Sequence, residues 1–274
     1  MTDTEQVIDW TASGYFRFPV AGARLQVNEK FRKEWDTFAS SLARLKAGVF
    51  GREEELWTAA RNARSWQVSG AYAYLIGNTA SLAFMQSLRP IVGTTLDVGA
   101  SADAAECLGH SGLLSEIPAL LDFVETYRQF GEFEGAVWTI FYLLDDGTEA
   151  LPGVAPKALA SDDVFRTFEG SVLRRVDALS DRFGTATVRI LQGSIFSVPM
   201  LLEKIRASAN SGKFDPKLRQ IFEATTGVDC SEFFHDHKAR PLNIHAVLDE
   251  FEERGGPDRF LPGKRYFFGH PVPD

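Results

Sequence analysis

Residues 68–88, with the sequence VSGAYAYLIGNTASLAFMQSL, decide the fold class of this chain. Alanine and leucine, which have the highest helix propensities, recur along the stretch. Its many small side chains would let a helix pack closely against its neighbours. Because proline cannot continue a helix, we expect the helical stretch to end at Pro90. The sequence therefore predicts a closely packed helix at this position.

Helical spacing recurs on both sides of this stretch. Apolar residues follow each other at steps of three and four, which places them on one face of a helix. Asp215 followed by Pro216 is typical of a helix start, with a capping residue before a proline in the first turn. The two clearest apolar sets are Phe31, Trp35, Phe38, Leu42 and Leu45, and Phe165, Phe168, Val172, Val176 and Leu179.

Other patterns are weaker. The first 25 residues alternate between apolar and polar and predict a short extended N-terminal arm. Residues 92–112 are rich in Gly, Ser, Thr, Ala and Asp and predict a loop with at most one short helix. The apolar run 137–144 predicts a buried helix or a buried strand, which periodicity does not distinguish. In total we expect an all-α protein with about eight or nine helices.

The domain organisation follows from length and from one linker-like segment. A chain of 274 residues is long enough to bury a large core as one domain. Residues 145–160 contain Gly and Pro at close intervals and form the clearest linker. We therefore expect a single helical domain over residues 1–274. If it divides, the Pro/Gly loop would join the halves 1–150 and 161–274.

Composition and charge narrow the classes of function. The net charge is −8 and the isoelectric point is about 5.3, whereas nucleic-acid-binding proteins carry a basic surface, so nucleic acid is not an expected partner. No apolar run reaches the length of a membrane span, and residues 1–10 lack the features of a signal peptide. Two cysteines suit a reducing compartment. We expect a cytoplasmic protein without a membrane partner, and a homodimer stays open.

Four of the five histidines lie in the last 40 residues of the chain. On a helix that begins near Asn243, the side chains of His245, Asp249 and Glu252 fall on one stripe at the edge of an apolar face. In the simplest interpretation, His245 pairs with Asp249 one turn later on the protein surface. In a second interpretation, His245 is the axial ligand of a haem, because one imidazole is enough to bind the iron.

Two segments carry a family resemblance. His245-Ala-Val-Leu-Asp-Glu-Phe, followed by Gly255-Gly256-Pro-Asp-Arg-Phe, and Phe123-Val-Glu-Thr-Tyr-Arg128-Gln-Phe resemble parts of the histidine-ligated, haem-dependent aromatic oxygenases, the superfamily of tryptophan dioxygenase. The segment that begins at His245 resembles the helix of the haem ligand and the loop over the substrate. The segment that begins at Phe123 resembles the helix whose arginine binds the substrate carboxylate. The resemblance implies an all-α oxygenase or hydroxylase that acts on an aromatic amino acid or a related small molecule.

In this resemblance His245 would bind the haem iron, and Arg128, Tyr127 and Phe123 would bind the substrate. His110 would act as a catalytic residue on the distal side of the haem or donate to the substrate. Two alternatives stay open. A non-catalytic helical protein would bind an apolar small molecule in a pocket lined by some of its 22 phenylalanines. A non-haem iron pair would use imidazoles and carboxylates of the tail as ligands, namely His245, Asp249, Glu252, His235 and His237. It would also need carboxylates from other helices, and Glu125, Glu132 and Glu134 are the candidates.

Overall fold

The computed structural model of the protein describes residues 31–94, 97–131, 133–145, 151, 153–235 and 238–274. The predicted extended arm lies outside these residues, as do residues 146–150 and 152 of the predicted linker 145–160.

Helices dominate the described residues, and the all-α prediction is confirmed. Eleven α-helices lie within the described ranges, more than the eight or nine expected: α1 (Arg32–Lys46), α2 (Glu53–Asn62), α3 (Trp66–Thr79), α4 (Leu82–Leu88), α5 (Val98–Ser111), α6 (Ile117–Tyr127), α7 (Glu134–Leu144), α8 (Asp162–Phe183), α9 (Val198–Asn210), α10 (Pro216–Thr226) and α11 (Pro241–Glu253). As far as the chain is described, none of its helices combines the length and the apolar character that crossing a membrane requires.

Strand structure is limited to three short antiparallel hairpins in the described part of the chain. They pair β1 (Ile190–Leu191) with β2 (Ser194–Ile195), β3 (Phe234–His235) with β4 (Lys238–Ala239), and β5 (Tyr266–Phe267) with β6 (His270–Pro271).

The stretch 68–88 forms two helices, α3 and α4, rather than one. Ser81 caps α4, because its side chain accepts a hydrogen bond from the backbone N–H of Phe84 (3.3 Å). The carboxylate of Glu53 accepts another from the backbone N–H of Ser81 (2.9 Å). A polar cap therefore interrupts a stretch whose helix propensity is continuous.

Residues 98–111 form the 14-residue helix α5, so the prediction of a loop with at most one short helix was wrong. Asp97 caps the helix by accepting a hydrogen bond from the backbone N–H of Ala100 (2.9 Å). Gly112 ends it in the left-handed region, at a φ of 65°. Gly, Ser and Ala resemble a loop composition, but they are also the residues that a helix needs where another helix packs very closely against it.

The residues group into two compact units that interleave along the chain. The first unit comprises Met1–Phe50, Asn62–Tyr72 and Ser197–Val272, and the second comprises Gly51–Arg61, Ala73–Phe196 and Pro273–Asp274. Neither unit coincides with the halves 1–150 and 161–274. The expectation that the chain behaves as one domain stays a prediction.

Aromatic side chains fill the interior of the first unit. Phe222 of α10 and Phe251 of α11 meet edge to face, with ring centroids 5.2 Å apart. Trp35 and Phe38 form a similar pair on α1, with centroids 5.6 Å apart. Edge-to-face pairs of this kind add about 0.5–1.5 kcal/mol beyond the burial of their surface. The phenylalanines of this unit therefore pack largely against one another.

Very close packing between α3 and α5 marks the second unit. Residues 73–80 are all buried. A Cβ atom added to Gly77 would lie 2.5 Å from the carbonyl oxygen of Cys107 and 2.5 Å from the Cβ atom of His110. Backbone atoms cannot move aside as a flexible side chain can, so only glycine fits at this crossing.

The substitution Gly77→Ala is expected to lower the free energy of unfolding by roughly 1–3 kcal/mol, because the added methyl group overpacks the contact with α5. Helix propensity alone would favour alanine by about 1 kcal/mol. Gly170→Ala in α8 is the matched control, since its Cβ atom would meet the guanidinium end of Arg174 at 3.4 Å. Urea denaturation should show a loss in the first variant and a small gain in the second. Equal stability of Gly77→Ala and the unchanged protein would contradict the close contact.

Candidate functional site

An arginine from α9 occupies the predicted stripe on α11. Nη1 of Arg206 lies 3.2 Å from Nδ1 of His245, and its Nη2 donates to Asp249 (2.7 Å) and to Glu252 (2.5 Å). Nε2 of His245 lies 3.0 Å from Oδ1 of Asn210, one turn further along α9. The three residues therefore share one side of α11, as helical spacing predicts, and they form a seam between two helices. Arg206 bridges the histidine and the aspartate that the simplest interpretation pairs directly.

These hydrogen bonds assign the tautomer of His245. A guanidinium group can only donate, so Nδ1 of His245 accepts from Arg206. Nε2 then carries the proton and donates to the amide oxygen of Asn210. Partial burial lowers the pKa of Arg206, but its hydrogen bonds to Asp249 and Glu252 outweigh this effect, and the pKa is raised. The seam thus holds the imidazole of His245 beside a permanently charged arginine.

The seam does not fit a haem ligand or an iron pair. Both ring nitrogens of His245 are hydrogen-bonded within the protein, and neither offers a free lone pair to iron. The guanidinium of Arg206 already binds the carboxylates of both Asp249 and Glu252. Across the described ranges, no three His, Cys, Asp or Glu side chains come together as ligands for a metal ion.

The sequence also proposes two further histidines of the tail, His235 and His237, as metal ligands. His235 lies in β3 and is exposed, and its strand pairs with Lys238 and Ala239. His237 lies outside the described residues. The roles of both as metal ligands stay sequence-based predictions.

Arg128, the predicted ligand of a substrate carboxylate, fastens α6 to the start of α8. Its Nη1 donates to the carbonyl oxygens of Leu159 (3.1 Å) and Ala160 (3.0 Å), and its Nη2 donates to the carboxylate of Asp162. The guanidinium also lies over the ring of Phe165, 4.9 Å from its centroid. These contacts account for a structural role of Arg128 within the second unit.

The other predicted substrate residues on α6 are buried. The hydroxyl of Tyr127 donates to the carbonyl oxygen of Thr94 (2.5 Å). The ring of Phe123 packs on that of Tyr127, with centroids 4.7 Å apart. Both rings are at most 3% exposed, so they belong to the interior of the second unit.

His110 lies in the last turn of α5 rather than in a loop. Its ring meets that of Tyr74 edge to face, with centroids 5.2 Å apart. The backbone of His110 also forms part of the close contact at Gly77. A catalytic role for His110 stays a prediction.

A buried acid in the first unit has no signal in the sequence. Glu223 of α10 is completely buried, and within the described residues neither carboxylate oxygen receives a hydrogen bond of good geometry. Nε of Arg219, one turn earlier, lies 3.4 Å from Oε2 of Glu223. Burial raises the pKa of Glu223 to about 8, and the charge of Arg219, the backbone N–H of Cys230 and the charge of Lys46 offset only part of this effect. Glu223 is therefore mostly protonated at neutral pH.

Exposed side chains at the start of α7 and in the turn before it form a surface that the sequence also did not reveal. The apolar run 137–144 is helical, but it is not buried throughout, because Trp138 is 54% exposed. Phe130, in the turn before α7, is 73% exposed. The acidic side chain of Glu134, one turn before Trp138 on α7, is exposed as well. We define the α6–α7 surface by these three residues: Phe130, Glu134 and Trp138.

An aromatic support lies under Trp138. Its ring is 6.0 Å from that of Phe141, and the ring of Phe141 is 5.7 Å from that of Phe168 in α8. Phe168 is completely buried. On the same side of α7, a Cβ atom added to Gly135 would meet no atom of the described residues within 4 Å. The indole of Trp138 thus packs against the ring of Phe141, and the backbone beside it at Gly135 is not covered by other described residues.

Comparison with known proteins identifies no relative of the chain. No protein-family model, no curated protein and no solved structure matches it.

Arg206→Met is expected to lower the free energy of unfolding by roughly 1–3 kcal/mol, because it leaves Asp249 and Glu252 facing each other without their shared donor. Arg254→Met is the matched control, since among the described residues Arg254 pairs only with Glu250, on the exposed side of the same helix. An exposed pair of this kind contributes less than about 1 kcal/mol. Urea denaturation of both variants measures the difference. Equally small losses would show that Arg206 does not hold α9 to α11.

Glu223 is expected to make the folded state less stable as the pH rises from about 4.5 to about 8. The folded protein keeps the Glu223 proton up to a pH of about 8, whereas the unfolded chain loses it near the ordinary pKa of 4.5. The folded state therefore binds more protons in this window, and the contribution of Glu223 at low pH, of order 5 kcal/mol, is lost as the pH rises.

Glu223→Gln tests this sign, because glutamine keeps the shape and does not ionise. Urea denaturation at a series of pH values should show a smaller fall in stability over this window than in the unchanged protein. Glu253→Gln is the control, since Glu253 is exposed on α11 of the same unit. A pH profile that is the same with and without Glu223 would rule out a raised pKa.

Proposed function

We propose that this protein is a non-catalytic binding protein that contacts a protein partner through the α6–α7 surface. The observation that carries the proposal is the exposure of two large aromatic side chains, Trp138 at 54% and Phe130 at 73%. Burying apolar surface of this kind in a partner is favourable by about 25 cal/mol per Å². Tryptophan is also among the residues that contribute most to binding at protein interfaces.

The shape of the surface favours a protein over a small molecule. Small-molecule sites are concave and enclose most of their ligand. Trp138 instead stands on the outer side of α7, next to open backbone at Gly135. The rings of Phe141 and Phe168 pack against each other beneath it. This arrangement suits an extended protein surface better than an apolar ligand in a cavity.

The hydrogen bonds of the candidate catalytic residues support a binding role. Arg128 and Arg206 each fasten one helix to another part of the chain, and His245 uses both ring nitrogens in the seam. A haem-dependent oxygenase acting on an aromatic amino acid, or a di-iron oxygenase, would need several of these groups for its ligand or substrate. Both remain predictions from the sequence, and the geometry around these residues does not favour them.

Photo-crosslinking in the source cells tests the proposal. A benzophenone amino acid replaces Trp138, and in a second variant it replaces Trp66, which is 69% exposed at the start of α3 in the first unit. Because only Trp138 lies in the α6–α7 surface, we expect a discrete polypeptide adduct from position 138 and none from position 66. Urea denaturation of both variants confirms that each is folded.

The mass of the adduct separates the alternatives. An added polypeptide mass supports the proposal, and an adduct of twice the chain mass would identify a second copy as the partner. An added mass of a few hundred daltons would favour an apolar small molecule and contradict a protein partner. Equal adducts from both positions, or none from position 138, would also contradict it. A Soret band after haem-supplemented expression, lost in His245→Ala, would favour the oxygenase instead.

A further inference from the structure

Two hairpins of the chain end in the same kind of turn. In β5–β6 the turn residues are Phe268 and Gly269, with φ angles of 48° and 82°. In β1–β2 they are Gln192 and Gly193, with φ angles of 49° and 68°. Positive φ at both positions is typical of a type I′ turn, which favours asparagine, aspartate or glycine. A bulky phenylalanine is strained in this region, so its surroundings must hold Phe268 there.

The turn of β5–β6 caps the end of α10. The backbone N–H of Phe268 donates to the carbonyl oxygen of Ala224 (2.7 Å), and that of Gly269 donates to the carbonyl oxygen of Thr225 (2.9 Å). Carbonyl groups in the last turn of a helix have no partner within the helix. The hairpin therefore supplies hydrogen bonds that the end of α10 lacks.

The turn of β1–β2 makes the equivalent pair of hydrogen bonds with α7. The backbone N–H groups of Gln192 and Gly193 donate to the carbonyl oxygens of Tyr142 (3.3 Å) and Leu143 (2.8 Å). These carbonyls have the same positions relative to the end of α7 as the capped carbonyls of α10 have relative to its end. The second hairpin is thus an internal reference for the first.

The residue just before the capped carbonyls differs between the two helices. In α7 it is Phe141, whose ring packs against Phe168. In α10 it is Glu223, which is completely buried and whose carboxylate oxygens receive no hydrogen bond of good geometry within the described residues. One cap therefore follows an apolar side chain, and the other follows a buried acid.

Three contacts bring the tip of β5–β6 close to Glu223. Phe268 binds the carbonyl of the residue that follows Glu223. A Cβ atom added to Gly227, one turn after Glu223, would lie 3.3 Å from the ring of Phe268. The ammonium group of Lys46, at the end of α1, lies 4.7 Å from the centroid of that ring, and its charge also acts on Glu223. The hairpin tip, Lys46 and Glu223 therefore form one cluster.

Groups from three parts of the first unit face Glu223. They are Arg219 of α10, Lys46 of α1, and Asp229 and the backbone N–H of Cys230 in the segment after α10. On the hairpin, the ring of His270 lies instead against Gly48, where an added Cβ atom would be 2.8 Å from its Nδ1. Burial outweighs the groups that favour the ionised form, and the pKa of Glu223 is raised to about 8. An ionised Glu223 would be far more stable in contact with water.

We propose that the β5–β6 hairpin is a pH-dependent latch on α10, which is closed while Glu223 holds its proton and opens when that proton is lost. Each strand of the hairpin has only two residues, and opening also frees Phe268 from its strained conformation. We therefore expect the hairpin to move before any helix of the unit. The β1–β2 hairpin follows Phe141 instead of an acid and should stay closed.

Opening should increase with pH, because the closed form binds more protons than the open form. The closed form keeps the proton of Glu223 up to a pH of about 8, whereas a hydrated Glu223 loses it near 4.5. The ratio of open to closed molecules therefore rises by up to about tenfold per pH unit in this window and levels off above it.

Amide hydrogen exchange in the full chain, followed residue by residue with NMR, tests the latch. Each rate is divided by that of an unstructured chain at the same pH, which removes the intrinsic pH dependence. The protection of the N–H groups of Phe268 and Gly269 should fall at least about tenfold between about pH 5 and pH 7. The protection of Gln192 and Gly193 should change less than about twofold.

Three variants test whether this change depends on Glu223. In Glu223→Gln, which cannot ionise, the protection of the hairpin should change less than about twofold over the same range. Lys46→Met removes a cation that favours the ionised form, so the fall should extend to a higher pH than in the unchanged protein. Arg44→Met is the matched control, because it removes an exposed cation from the same turn of α1 and should leave the pH dependence unchanged.

Low concentrations of urea distinguish a latch from unfolding of the whole unit. Local opening exposes little surface, so exchange at Phe268 and Gly269 should hardly respond to about 1 M urea. Leu248 is completely buried in the middle of α11. Its exchange requires a larger unfolding step and should accelerate in urea.

Each contrary result overturns the latch. A urea dependence that the hairpin shares with Leu248 would show that the unit unfolds as a whole. Protection of Phe268 and Gly269 that does not change with pH would contradict the proposal, as would a fall that β1–β2 shares or that persists in Glu223→Gln. A pH dependence that Lys46→Met leaves unchanged would remove Lys46 from the cluster and count against the proposed geometry. None of these results depends on crosslinking at position 138.

Discussion

The close crossing of α3 and α5 is the constraint on which the second unit depends. No atom larger than hydrogen fits between Gly77 and the backbone of α5. Helix α5 must therefore be built from small residues. It also packs closely against α7, because a Cβ atom added to Gly109 would lie 3.0 Å from the methyl group of Thr139. The composition that resembled a loop is thus the composition that three closely packed helices require.

Local signals in the sequence predict most of the helices, because those signals act over a few residues. Asp215 caps α10 with Pro216 in its first turn, and Gly184 and Gly227 end their helices in the left-handed region, as their types suggest. Ser81 is harder to interpret, since its cap also depends on Glu53, which is distant in the sequence. A helix boundary that relies on a distant partner is not visible in local propensity.

The candidate site was much less predictable than the fold. Helical spacing places His245, Asp249 and Glu252 on one stripe, but it does not identify what faces them. Arg206 lies 39 residues before His245, and no pattern links the two. Imidazoles and carboxylates on one helix face serve equally well as metal ligands and as acceptors for an arginine. Similarly, the hydropathy of residues 137–144 did not distinguish a buried helix from one that exposes its tryptophan.

The interleaved units have a consequence for the order in which the protein folds during synthesis. Nearly all of the second unit lies in Gly51–Arg61 and Ala73–Phe196, so its residues leave the ribosome before those of Ser197–Val272. Domains generally fold as units once their residues are available. The early part of the first unit, including Trp35 and Phe38 of α1, cannot complete its fold until almost the whole chain has been synthesised. Its apolar residues therefore stay exposed longest during synthesis, and a ribosome-bound chaperone would have the most time to bind them.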